Sequence, residues 1–168
     1  MTNYIWRMIQ RIQSIYLAVA FLAASALFFV PVVSFVDLDN IGQGSIKELV
    51  EIRALGKYVM SMAGPNKVEA YTPGLILTVL VAGLALAAIF TFKNRKLQIN
   101  LCWLNAFLAI GLSVFMMLKA QPESVGQVSD WSAKIGAYLF SVIIICLILA
   151  IKSIRKDDNL IKSADRLR

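Results

Sequence analysis

The side chains in this sequence that could do chemistry are few, mostly neutral, and gathered near one end of two apolar runs. Gln13 and Ser14 open one run, and Gln98, Asn100 and Asn105 open another. Amides and hydroxyls donate and accept hydrogen bonds, but a hydroxyl becomes a nucleophile only beside a base. Gln98 and Asn105 are seven residues apart and share one helix face. Together with Asn100 they are candidates for polar contacts inside a helix bundle. A small polar pocket or a partner-docking face is the sharper use; interhelical hydrogen bonds, at about 0.6 kcal/mol each, are the plainer and favoured one. Cys102 and Cys146 both lie in apolar runs. Two isolated cysteines make no metal site and read as small buried hydrophobes. There is no His, so the commonest metal ligand and the usual general base are both missing. No enzymatic role, metal or cofactor is expected.

The elements that must position these residues follow from composition. Of 168 residues, 59% are hydrophobic and 16% charged, against about 45–50% and about 25% in an average soluble domain. That excess of apolar surface calls for lipid as part of the solvent. It excludes disorder, and two cysteines exclude a disulfide scaffold. Four stretches carry no charge: Ile12 to Val36, Ala70 to Phe92, Leu97 to Leu118 and Ile135 to Ile151. About 20 apolar residues span a hydrocarbon core of roughly 30 Å. The fourth stretch is short, but Lys134 and Lys152 extend it by snorkelling. The expected fold is an all-α membrane protein, a single domain over 1–168 built as a four-transmembrane-helix bundle. Its spans are expected at about 12–33, 73–92, 98–118 and 133–152. Arg7, Arg11 and Ala24-Ser25-Ala26 resemble a cleaved secretory signal, but the apolar run continues through Leu27 to Val36, which favours a span. Met8 is an alternative start.

Charge sets the orientation. The segment bearing Arg7 and Arg11, the link Lys93-Asn94-Arg95-Lys96 and the tail from Lys152 carry eleven of the 17 Lys+Arg. Basic residues near span ends stay cytoplasmic. Both termini are therefore expected inside, with outer loops at 34–72 and 119–132 and a cytoplasmic tail at 153–168. Tyr4, Trp6 and Trp103 fall at the inner interface; Phe35, Tyr71 and Trp131 fall at the outer one. No charge lies inside any span, which argues against a proton relay or a charge-coupled carrier. Ala20-x-x-x-Ala24, Gly83-x-x-x-Ala87 and Ala109-x-x-x-Ser113 allow close helix approach, within the bundle or between copies.

The first outer loop has two readings. Ser45-x-x-Glu48 opens a capping box for a helix. Val50, Ile52 and Ala54 instead alternate with Glu51 and Arg53, and Gly56-Lys57 offers a turn before Tyr58. The second pattern favours a small β-hairpin over the outer helix ends. Gly64-Pro65-Asn66 is a further turn signal. In the tail, Ile154, Ile161, Ala164 and Leu167 recur near helical spacing, and Asp158 stands four residues before Lys162.

Met8-Ile9-Gln10-Arg11-Ile12-Gln13-Ser14-Ile15-Tyr16-Leu17, Phe92-Lys93-Asn94-Arg95-Lys96-Leu97-Gln98, Gly136-Ala137-Tyr138 and the ending from Ala150 to Arg168 carry a resemblance. They are similar to the signatures of domain of unknown function 4293, an uncharacterised four-helix family of Bacteroidota. The resemblance implies an inner-membrane protein of a Gram-negative cell and transfers no catalytic residue. It points to a platform at the cytoplasmic face made of Gln10, Arg11, Gln13, Lys93, Asn94, Arg95, Asp165 and Arg166. Such a platform would dock another protein or contact lipid headgroups. The expected role is a non-catalytic accessory subunit of a larger membrane complex, in protein export, insertion or envelope maintenance. The alternative is a small homo-oligomeric channel or carrier for a neutral solute. Expected partners are the lipid bilayer and other inner-membrane proteins, with a homo-oligomer as a further option. The spread of basic residues over three segments excludes nucleic acid.

Overall fold

The computed structural model describes residues 2–37, 48–61, 64–92, 94–120 and 128–166. Along the chain they form α1 (Thr2–Ala26), β1 (Val33–Asp37), β2 (Glu48–Arg53), β3 (Gly56–Ser61), β4 (Gly64–Ala70), α2 (Thr72–Phe90), α3 (Arg95–Lys119), β5 (Val128–Ala133) and α4 (Ile135–Arg166). Each helix buries one stripe at alternating spacings of three and four. These are Gln13, Leu17, Ala20 and Ala24 on α1, and Gly74, Thr78, Val81, Ala85 and Ala88 on α2. On α3 they are Gln98, Cys102, Asn105, Ala109, Leu112 and Met116, and on α4 Ile143, Leu147, Ala150, Ile154 and Asp157. That repeat keeps one seam facing its neighbours in a near-antiparallel bundle. Here α1 packs on α2 and α4, and α3 packs on the same two.

Ala20 and Ala24 on α1 and Ala85 and Ala88 on α2 are small residues of the kind that lets helix backbones approach closely. Many larger apolar side chains nevertheless point outward, although Leu17, Leu112, Met116, Ile143 and Leu147 are fully buried. Leu22 is 65% exposed and Phe107 66%, and Ile76, Phe90, Val114 and Ile145 are also exposed. Thr72–Phe90, Arg95–Lys119 and Ile135–Asn159 are long and apolar enough to cross a membrane, whereas α1 contributes the shorter apolar stretch Ile12–Ala26. Both free cysteines are buried.

The first helix departs from the expected boundaries at both ends. It begins at Thr2 and stops at Ala26, short of the expected end at 33. The apolar run continues, but not as helix. Amides of Phe28, Phe29 and Val30 turn back onto the carbonyls of Ser25 and Ala26. Pro31 then disfavours helical geometry at Val30, and the β-branched Val32 and Val33 suit a strand. The last helix runs past 152 through most of the tail to Arg166 without a break.

The segments expected as outer loops form more β-structure than one hairpin. All five strands make an antiparallel sheet in the order β4-β3-β2-β1-β5. The alternation at 50–54 is real: Val50, Ile52 and Ala54 are buried, and Val50 opposes Phe35 and Val59. The turn, however, lies at Ala54-Leu55, and Gly56 opens β3. Gly56 has φ +149, and a Cβ there would stand 2.0 Å from the Glu69 carbonyl oxygen. Gly64-Pro65-Asn66 begins the edge strand β4 rather than a turn; an edge is where a sheet tolerates proline. Ser45 lies outside the described residues. The segment expected as a plain second loop supplies β5, whose Ser132 hydroxyl sits 2.9 Å from that of Ser34 on β1.

The sheet closes one end of the bundle. Val33, Phe35, Val50 and Ile52 share a hydrophobic core with Leu27, Leu112, Met116 and Phe140. Gly74 lets the start of α2 pass beneath it: a Cβ would lie 2.9 Å from both the Ala54 carbonyl oxygen and the Met116 methyl. Phe35 and Tyr71 are therefore buried rather than standing at an interface, and Tyr71 packs edge-on against Phe115.

Candidate functional site

The opposite end of the bundle carries the start of α1, the link between α2 and α3, and the later turns of α4. There the buried stripes turn polar. On α1 the amide Nε2 of Gln13 donates to Oδ2 of Asp157 on α4. Both side chains are buried. Arg95, the first residue of α3, and Lys156 bring positive charge to the Asp157 carboxylate. This matters because a carboxyl taken out of water without compensating charge or hydrogen bonds is costly.

A second tie joins α2 to α3. The last four carbonyls of a helix have no partner within it. Near the end of α2, the Ala88 carbonyl accepts from Nε2 of Gln98 at 3.0 Å, and the Ala87 carbonyl accepts from the hydroxyl of Thr91 at 2.6 Å. Asn94 caps the start of α3, its side-chain oxygen accepting from the Leu97 amide at 3.3 Å; this is the usual work of Asn at that position. Two helix pairs are thus pinned, α1 to α4 and α2 to α3, with Arg95 between them.

Asn105 sits two turns deeper, about 10 Å along α3 from Gln98. It is 1% exposed, and neither its amide nitrogen nor its amide oxygen has a hydrogen-bond partner among the described residues. Asn100 is exposed on the other side of α3.

Of the platform residues, the structure brings Gln13 and Arg95 to one carboxylate, while Asn94 is engaged as a helix cap. Gln10 and Arg11 are on α1 within a turn of Gln13. Asp165 and Arg166 end α4, eight and nine residues beyond Asp157 and about 12 Å farther along the axis. The side chains of these four, and Lys93 altogether, lie outside the described residues.

Asp157 is the residue that sequence reasoning missed. Its signal was periodicity across the supposed end of the span. Ile143, Leu147, Ala150 and Ile154 step by four, three and four, and the next step of three reaches Asp157. A carboxyl on a buried stripe needs a partner from another helix. With the tail read apart from the helix, that register could not be seen.

What these groups offer is hydrogen bonding and charge at one end of a bundle whose other end is sealed by a sheet. The class so defined is a sheet-capped four-helix protein, three of its helices long and apolar enough to cross a membrane. Residues 9–167 match the domain of unknown function DUF4293, and the chain belongs to that family. No curated protein matches it. The match includes Gln13, Arg95, Gln98, Asn105 and Asp157.

Proposed function

We propose that this is a multi-pass inner-membrane protein with both termini in the cytoplasm, acting as a non-catalytic accessory subunit of a larger membrane complex. The observation that carries the membrane reading is the apolar outside: beyond the buried stripes, Leu, Ile, Val and Phe side chains of the helices also cover the exterior. Water does not tolerate so continuous an apolar surface, whereas acyl chains do. The orientation is supported by the eleven Lys and Arg in the N-terminal segment, the link 93–96 and the tail from Lys152, against six in the two intervening loops.

The accessory role is supported by the surfaces the molecule presents. Gly83 and Ala87 are exposed on α2, and a Cβ added at Gly83 would meet nothing within 4 Å. They leave a shallow strip between exposed Leu80 and Phe90, the kind of surface that lets a second membrane helix come close. The bundle axis, by contrast, is filled by buried side chains, which favours a structural part over a pore. Purification of the tagged, full chain at native expression in mild detergent is the test. Stoichiometric membrane partners are expected; a lone monomer or homodimer overturns the role.

A further inference from the structure

We propose that a lateral groove between α3 and α4 holds one acyl chain of an anionic phospholipid, with the phosphate beside Lys134. The groove measures about 330 Å³, within the range of roughly 300–1,000 Å³ typical of small-ligand sites. Val114 and Leu118 on α3 face Phe140 and Ile144 on α4 across it. These residues belong to the charge-free runs 97–118 and 135–151, so in a bilayer the groove opens at hydrocarbon depth. The inference therefore rests on the membrane reading given above.

The sheet end of the groove is built, not incidental. Its roof is the segment leaving α1. The Gly136 amide donates to the Pro31 carbonyl at 3.0 Å, and a Cβ at Gly136 would stand 2.6 Å from that oxygen. Lys134 is anchored to the groove on two sides. Its amide donates to the carbonyl of Val32, and its own carbonyl accepts from the amide of Ala137, both at 2.9 Å. Val32 and Ala137 both line the groove. The Lys134 side chain is half-buried. Lys119, at the end of α3, is engaged elsewhere: its ammonium lies 3.9 Å from Glu69 and over the Tyr71 ring.

An apolar trough at hydrocarbon depth, with a lysine anchored by its backbone beside it, complements a molecule with a fatty tail and a negative head.

Full-length protein in mild detergent is to be titrated with phosphatidylglycerol or with phosphatidylcholine of the same acyl chains, and bound lipid counted by native mass spectrometry. One phosphatidylglycerol per chain is expected, favoured about fivefold, the ratio for about 1 kcal/mol per lysine near an anionic surface. Lys134→Gln should bring the two lipids to the same level. Ser141→Trp, at an exposed lining position, should lower retention of both. Equal retention of the two lipids by the native chain, or retention unchanged in both variants, overturns the proposal. So does a photo-crosslinker at position 141 that captures a protein helix in place of lipid. Helix content by circular dichroism separates loss of the groove from loss of the fold, and Val114→Trp replaces Ser141→Trp if the latter unfolds. Release of the chain from membranes by carbonate would instead overturn the membrane reading, and is read before any lipid is added.

Discussion

Gln13 and Asp157, 144 residues apart in the chain, meet in a buried hydrogen bond that joins the first helix to the last. Arg95 at the start of α3 adds positive charge near the same carboxylate. The bundle is closed at this end by polar chemistry and at the other by an apolar sheet.

Removing one member of this pair should cost more than removing both. Asp157→Leu leaves the Gln13 amide buried without its acceptor, and a lost partner of this kind costs about 1–3 kcal/mol. Gln13→Leu combined with Asp157→Leu should destabilise by less than the sum of the single changes. Unfolding by sodium dodecyl sulfate, followed by helix content, gives the cycle; strict additivity would mean the bond carries nothing.

Asn105 makes the opposite prediction. Its amide is buried without a partner among the described residues, so Asn105→Leu, which keeps the branching at Cγ, should stabilise the bundle by up to about 1–3 kcal/mol. Asn105→Asp should destabilise it, since a buried charge is dearer than a buried amide. A loss of stability in Asn105→Leu would show that the amide has a partner, such as bound water.

Two glycines separate packing from backbone effects. Gly136→Val drives a side chain against the Pro31 carbonyl and should cost about 1–3 kcal/mol as overpacking. Gly83→Ala meets nothing and should stabilise the isolated chain by roughly 0.5–1 kcal/mol. Gly83→Leu should leave the fold intact yet reduce partner recovery in the mild-detergent purification. If recovery is unchanged, the partner docks on another face.

Topology is checked by single cysteines in a chain whose Cys102 and Cys146, both buried, are replaced by Ala. Asn66→Cys, on exposed β4, should react with an impermeant maleimide on intact spheroplasts. Asn94→Cys should react only after lysis. The reverse pattern would invert the protein in the membrane.

The amino-acid pattern by itself determined that four apolar runs carry the helices, which segments are basic and which loop residues alternate, but not where the first and last helices end. These properties are local: apolar runs, charge near run ends and period-two spacing each need only neighbouring residues. The three long apolar helices and the alternation at Val50, Ile52 and Ala54 were legible for that reason. Only the tertiary structure decided the rest. The two segments flanking the α2–α3 pair join one sheet because Ser34 meets Ser132 and Val33 meets Ala133, pairings across about a hundred residues that no local window contains. The Gly83 strip faces outward while Ala20 and Ala24 face inward, although both have the same small-residue spacing. Asp157 reads as one charge in a solvated tail until α4 is seen to continue unbroken. Its stripe then turns inward, and burial obliges the carboxylate to find Gln13 and the charge of Arg95.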